Sequence, residues 1–173
     1  MTGVSEIPCD LDQLNSDAME RRAAAPILIA GLAAGALDAT AAMTHFFAAT
    51  GKDPLRVWVF VASGALGSAA YQGSPIIPAL GLLFHFFIAT TWAAIFYLAS
   101  RRIARLVTAP AFVVGPLYGV FVWLMMTWIV VPLSRTPPLG RRTVSGIAIG
   151  IAIHMVCVGL PIALVIKRRA RFL

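Results

Sequence analysis

The sequence predicts an all-α, polytopic membrane protein: a bundle of four transmembrane helices with one extra short interfacial or re-entrant helix. Of its 173 residues, 60% are hydrophobic and only 12% are charged, whereas soluble domains are about half apolar and about a quarter charged. The mean hydropathy is +0.86. Four apolar runs also reach the roughly 20 residues that a helix needs to cross a bilayer; they cover residues 26–50, 78–99, 110–131 and 144–166.

The first element along the chain is a polar N-terminal tail, residues 1–25. Cys9 in this tail follows no apolar stretch, so we expect neither a cleavable signal peptide nor a lipoprotein signal. Insertion then relies on the internal spans of a transmembrane domain that covers residues 26–167. A basic tail, residues 168–173, ends the chain.

A fifth apolar segment, residues 55–71, lies between the first and second runs. It is shorter than a bilayer crossing requires and carries Ser63, Gly64, Gly67 and Ser68. Pro54 suits the first turn of a helix, and the Gln-Gly-Ser-Pro sequence at 72–75 ends one. We therefore predict a short helix that lies in the interface or dips into the bundle.

The distribution of basic residues predicts the orientation, because cytoplasmic loops are enriched in Lys and Arg. With four spans, nine basic residues fall on one side: Arg21, Arg22, Arg101, Arg102, Arg105, Lys167, Arg168, Arg169 and Arg171. Five fall on the other: Lys52, Arg56, Arg135, Arg141 and Arg142. Both termini are then cytoplasmic. If residues 55–71 crossed the membrane as a fifth span, the C-terminus would stay cytoplasmic and the N-terminus would lie outside.

Small residues recur at helix-contact spacing in all four spans. Rows of glycine let helix backbones approach each other, which matters in lipid because no hydrophobic force drives spans together. The predicted packing glycines are Gly31, Gly35, Gly81, Gly115, Gly119, Gly146 and Gly150.

Four ionisable residues lie inside the apolar runs and continue these rows. Asp38 and His45 follow Gly31 and Gly35 at steps of three or four, and His85 and His154 follow glycines in the second and fourth spans. An aspartate at the middle of a span costs roughly 2.5–3.5 kcal/mol on insertion scales. We therefore expect all four residues to face the bundle interior, where hydrogen bonds are available.

Depth pairs these residues in the four-span arrangement. Asp38 and His154 lie near the midplane, and His45 and His85 lie in the outer half. Tyr118, in a Gly-Pro-Leu-Tyr-Gly sequence, can either present its hydroxyl to the bundle interior or serve as a packed aromatic. The candidates for a proton or ion relay are therefore Asp38, His85, His154, His45 and Tyr118.

Several functions remain open at this point. The four ionisable residues can be interhelical hydrogen-bonding groups that fix helix register, or a relay with Asp38 as the carrier. Histidines on facing helices can also hold haem or a metal, but no local ligand motif predicts a cofactor or metal. No G-x-S-x-G sequence frames Ser63 or Ser134, so we identify no catalytic residue and favour a protein that is not an enzyme.

The net charge of +7 does not indicate nucleic-acid binding. The basic residues form short clusters between apolar runs, where they anchor topology and contact anionic lipid headgroups. The expected partners are membrane lipids and either further copies of the chain or another membrane protein, bound through the glycine rows. A non-catalytic subunit or scaffold is therefore the alternative to proton, ion or small-solute movement, and a haem or metal protein is the third hypothesis.

Seven different short motifs are spaced along residues 26–166. They read GALD at 35–38, GKDPLRV at 51–57, ASGALG at 62–67, FHFFIA at 84–89, LYG at 117–119, VPLS at 131–134 and, after His154, VGLPIA at 158–163. With these motifs the chain resembles a group of small bacterial inner-membrane proteins of uncharacterised activity. The resemblance implies the membrane architecture and an inner-membrane location. Asp38, His85, Tyr118, Ser134 and His154 fall on motif positions, and His45 does not.

Overall fold

The computed structural model describes residues 9–138, 140 and 143–170, and the side chains of residues 24–138, 140 and 143–168. The first eight residues of the predicted N-terminal tail and the last three of the predicted C-terminal tail lie outside this part, as do Arg141 and Arg142. The described helices are α1 (Cys9–Thr50), α2 (Arg56–Leu66), α3 (Ile76–Arg102), α4 (Arg105–Thr108), α5 (Ala111–Met125), α6 (Val131–Leu133), α7 (Val144–Ile153) and α8 (Leu160–Ala170).

Four helical stretches are long and apolar enough to cross a membrane, which confirms the predicted fold class. They are Ala24–Thr50, Ile76–Arg102, Ala111–Leu133 and Val144–Arg168, here termed the first to fourth spans. Within the most apolar window of each span only 28% of residues are buried inside the protein. The exposed remainder includes many large apolar side chains, such as Phe112 and Trp128, and so much apolar surface requires lipid around it.

The first helix is longer than its apolar run. It begins at Cys9 and continues through Pro26 to Thr50 without a break, so the second part of the predicted polar tail is helical. Pro26 lacks an amide hydrogen and its ring crowds the preceding turn, and it lies where the polar and apolar parts of the helix meet.

The segment between the first two spans contains the predicted extra helix. Asp53 Oδ1 accepts a hydrogen bond from the Leu55 amide at 2.9 Å, just before α2 begins. At Gly67 the φ angle is +62°, which ends α2 and starts a 3₁₀ turn over Gly67–Tyr71. A left-handed backbone angle of this kind is readily adopted only by glycine.

The spans pack in the spatial order second, first, fourth and third. A Cβ atom at Gly31 would lie 2.6 Å from the Thr90 Cα atom, so the first and second spans are in backbone contact there. Gly115 is equally close to the Leu160 Cα atom of the fourth span, at 2.7 Å. Because even a methyl group does not fit at these contacts, the glycines set the closest approaches in the bundle.

Aromatic side chains separate the second span from the third. Tyr118 donates its hydroxyl hydrogen to the Trp92 carbonyl at 2.7 Å, and the Tyr118 and Phe96 ring centroids are 4.8 Å apart. Trp92 also packs edge-on against Phe121 and donates its indole N–H to the Met126 sulfur at 3.4 Å. These bulky groups hold the two backbones apart, which leaves space between the spans.

Two spans contain a wider, π-helical segment. One covers Met126–Val130 in the third span and the other His154–Gly159 in the fourth. Each ends shortly before a proline, Pro132 or Pro161. A proline ring clashes with the carbonyl four residues earlier, and a wider turn relieves that clash.

Candidate functional site

A cavity of about 300 Å³ lies inside the bundle and is lined by all four spans and by α2. Asp38 from the first span, His85 from the second and His154 from the fourth all line it. The sequence places these residues on three separate spans, and the fold brings them to the wall of one cavity.

The three ionisable residues lie at similar depth. At 1.5 Å per residue, Asp38 is about 18 Å from Thr50, the end of the first span. His85 is about 14 Å from Ile76 and His154 about 15 Å from Val144, the starts of their spans. These three span ends lie at one end of the bundle, and the hydrocarbon core of a bilayer is about 30 Å thick. The cavity therefore reaches the middle of the membrane.

Asp38 is half-buried and faces this cavity. Within the described part of the chain, no hydrogen bond or ion pair reaches its carboxylate. Cys157 in the fourth span is close enough to interact with it electrostatically. A carboxylate in an apolar environment is costly unless it is paired or protonated, so Asp38 is the group in this cavity with an unmet requirement for a partner.

His85 is positioned by two neighbouring elements. Its Nε2 atom lies 2.9 Å from the Gly35 carbonyl oxygen, one helical turn before Asp38. A carbonyl oxygen can only accept, so Nε2 carries the hydrogen and Nδ1 of the neutral ring keeps a lone pair. The Trp58 ring of α2 packs against the imidazole at a centroid distance of 5.2 Å, which fixes the plane of the ring.

His154 is fixed within its own helix. Its Nδ1 atom lies 2.9 Å from the Gly150 carbonyl oxygen, so Nδ1 carries the hydrogen and Nε2 keeps the lone pair. Across the described residues, neither lone-pair nitrogen of the two histidines has a hydrogen-bond partner. Each imidazole therefore has one nitrogen that is able to accept a proton.

The loop after the third span contacts α2 and contributes to the cavity wall. The Arg135 amide donates to the Gly64 carbonyl at 2.9 Å, which ties the residues after the third span to the short helix. Ser134 and Thr136 share a hydrogen bond of 2.6 Å between their hydroxyl oxygens and both line the cavity. They are the hydroxyl groups that this loop contributes to the cavity wall.

Both π-helical segments also line the cavity. Met126 and Val130 belong to one, and His154 and Val158 to the other. Segments of π-helix occur disproportionately at functional sites, where the extra residue in the turn redirects a side chain. Two on different helices that meet at one cavity are a second indication of where the site lies.

The other two relay candidates lie away from the cavity wall. His45 is half-buried in the first span, and among the described residues it has neither a hydrogen bond nor a ring contact. The ring neighbours of His85 are Trp58 and Phe86, not His45. Tyr118 packs among aromatic residues between the second and third spans and uses its hydroxyl to bind the Trp92 carbonyl.

The predicted packing glycines fall into two groups. Gly31, Gly35, Gly81, Gly115 and Gly119 each lie against a neighbouring helix, with Gly81 directly beneath the Trp58 carbonyl of α2. Gly150 contacts the Trp123 indole, and Gly146 lies only against Thr143 at the start of its own helix. Sequence analysis missed Gly159, which contacts the Gly115 carbonyl, because it lies off the helix face that carries Gly146 and Gly150.

In the portion of the chain that is described, no three His, Cys, Asp or Glu side chains lie close enough together to hold a metal ion. Comparison of the chain with protein-family models, with curated proteins and with solved structures gives no match.

Proposed function

We propose that this integral membrane protein belongs to the bacterial inner membrane and moves a proton, an ion or a small solute through the cavity lined by Asp38, His85 and His154. The observation that carries the proposal is the convergence of these three residues, from three spans, on one cavity at mid-membrane depth. Ionisable residues inside a membrane commonly mark the path of a proton, ion or substrate.

The roles of the three residues follow from their hydrogen bonds. Asp38 is the carrier group, since its carboxylate is not engaged by another described residue and can bind a proton or a cation. His85 and His154 each retain one nitrogen with a lone pair, so each can take up a proton and return it. The hydroxyls of Ser134 and Thr136 give a further polar contact on the cavity wall.

A flux measurement in liposomes tests this proposal. We expect the wild-type protein to dissipate an imposed gradient of protons, potassium or methylammonium faster than protein-free liposomes. Asp38→Asn removes the charge and keeps the shape, so we expect at least a tenfold lower rate. Asp53→Asn is the matched control, because Asp53 is exposed in the loop before α2, and its rate should equal that of the wild type.

Two results would contradict the proposal. One is a wild-type rate equal to that of empty liposomes for all three gradients. The other is an Asp38→Asn variant that folds, elutes like the wild type and keeps the full rate.

The scaffold alternative and the haem alternative have less support. Six of the seven glycines that a partner protein would need already contact helices of the same chain. For haem, His85 and His154 each keep one nitrogen with a lone pair, so the weaker support rests on the lack of a local ligand motif in the sequence. A preparation with a Soret band that is lost in His85→Ala would support haem binding.

The proposed setting is a multi-pass protein with its C-terminus in the cytoplasm, in contact with anionic lipid headgroups. The charge distribution supports this orientation, since nine of the fourteen basic residues fall on the C-terminal side of the bundle. The inner-membrane location is proposed from the resemblance of the short sequence motifs at 35–38, 51–57 and 84–89 to those of small bacterial inner-membrane proteins. Exposed apolar surface leaves room for assembly with further copies of the chain.

A further inference from the structure

We propose that the solute taken by the cavity is a small lipophilic cation, such as a substituted ammonium ion, which enters from the bilayer between the second and third spans. This inference rests on the proposed function and deepens it by naming the solute. Three features of the cavity support it: its charge, its aromatic lining and its opening.

The charge of the cavity selects a cation. Among the described residues that line it, Asp38 is the one acidic residue and none is Lys or Arg. The ionised carboxylate of Asp38 is thus the source of negative charge among the described lining side chains. Within the described residues this charge has no ion-pair partner, and a monovalent cation would supply one at a depth where an unpaired charge is costly.

The rest of the lining selects an apolar, compact molecule. Phe60, Phe84, Phe87 and Trp92 contribute aromatic rings to the wall. Aromatic faces attract cations, and most strongly those with alkyl substituents and little hydration. A cavity of about 300 Å³ lies at the small end of the range for small-molecule sites, so the ligand has about the size of one ring with a short substituted amine.

The opening of the cavity lies on the lipid-facing surface. Phe87 in the second span and Val130 in the third both line the cavity, yet they are 70% and 37% exposed. These two spans lack the close glycine contacts that join the other neighbours, because aromatic side chains hold them apart. A molecule that enters at this seam comes from the acyl chains and must therefore partition into lipid.

A pair of ligands of equal shape tests the charge requirement. Benzyltrimethylammonium and neopentylbenzene differ in one atom, a cationic nitrogen in place of a neutral carbon. We would measure equilibrium binding of both to the full chain in lipid nanodiscs and subtract partitioning into protein-free nanodiscs. We expect the wild type to bind the cation at least tenfold more tightly than the neutral molecule.

Three variants then assign the binding to this cavity. Asp38→Asn should weaken cation binding at least tenfold and leave binding of the neutral molecule unchanged. The control Asp53→Asn should change neither. Ala65→Trp places a large side chain on the exposed part of the cavity wall and should remove binding of both ligands.

Several outcomes would overturn the inference. These are equal binding of the cation and the neutral molecule by the wild type, tighter binding of a phenylalkanoate anion, or unchanged cation binding in Asp38→Asn or in Ala65→Trp. If Asp38→Asn loses both ligands, Asp38→Glu decides, because it keeps the charge: retained cation binding supports the inference and lost binding contradicts it.

Failure of this inference and failure of the proposed function give different results. Proton or potassium flux that depends on Asp38, without cation binding, would leave the proposed function standing and remove the lipophilic solute. Cation binding that depends on Asp38, without flux under any gradient, would leave the site standing and remove transport.

Discussion

At the scale of single residues, Lys167 has a hydrogen-bond partner of the kind that Asp38 lacks among the described residues. Its side chain is only 5% exposed, and Nζ donates a hydrogen bond to the Ala109 carbonyl just before the third span. The contact ties the end of the fourth span to the connection between the second and third. The buried ammonium group is therefore satisfied by the backbone, as membrane burial requires.

We expect Lys167→Met to destabilise the protein. The change keeps most of the apolar stem and removes the donor, and a buried hydrogen bond to a charged group contributes about 1.5–3 kcal/mol. Unfolding in mixtures of SDS and a mild detergent would show a lower midpoint SDS fraction. Arg168→Met is the control, since Arg168 is exposed, and its midpoint should stay at the wild-type value. Equal midpoints for both variants would show that the Ala109 contact does not stabilise the fold.

Some of these residues can be identified from the sequence and others cannot, for a physical reason. Asp38, His85 and His154 stand out because each interrupts an apolar run, and insertion cost makes such residues rare. Lys167 is adjacent to Arg168 and Arg169, so it looks like part of a solvated basic anchor. Its burial depends on where the Ala109 carbonyl lies, and spacing along one helix contains no information about that.

At the scale of helices, the contact between the third and fourth spans depends on Gly119. A Cβ atom there would meet the His154 carbonyl and would lie 2.6 Å from the Met155 Cα atom. Both are backbone atoms, so they cannot rotate away as a side chain would. Any side chain at residue 119 must push the two spans apart and displace His154 from the cavity wall.

We therefore expect Gly119→Ala to destabilise the bundle by about 1–3 kcal/mol, the usual cost of overpacking. Gly146→Ala is the matched control on the facing span, because its Cβ would meet only Thr143 Oγ1, at 3.1 Å. Alanine favours a helix over glycine by up to about 1 kcal/mol, so this variant should be as stable as the wild type or more so. The same SDS titration measures both. A Gly119→Ala variant as stable as Gly146→Ala would contradict the contact.

Span length is the part of the helical structure that sequence predicts best. The bilayer imposes a minimum apolar length, and all four runs satisfy it with clear margins. The π-helical segments were not predicted. No π-helical segment precedes Pro26 or Pro116 in the described helices, although one precedes each of Pro132 and Pro161. A proline therefore permits a wider turn, and packing against neighbouring spans determines whether one forms.

At the scale of the whole molecule, four crossings place the start of the first span and the end of the fourth span on the same side of the membrane. The helix α2 has 11 residues and is about 16 Å long at 1.5 Å per residue, about half of a bilayer core. Its hydrogen-bonded contact with the loop after the third span keeps it at one end of the bundle. The five-span alternative is therefore disfavoured by geometry as well as by length.

Accessibility to a membrane-impermeant maleimide tests the resulting orientation in intact cells. In a background without Cys9 and Cys157, Lys52→Cys and Arg168→Cys place one thiol at each end of the bundle, both at exposed positions. Because the larger basic cluster stays in the cytoplasm, we expect Lys52→Cys to react from outside once the outer membrane is permeabilised. We expect Arg168→Cys to react only after the inner membrane is opened. The reverse pattern would invert the orientation. Reaction of both thiols from outside would show that the chain crosses the membrane an even number of times between them, contrary to the three crossings of the four-span arrangement.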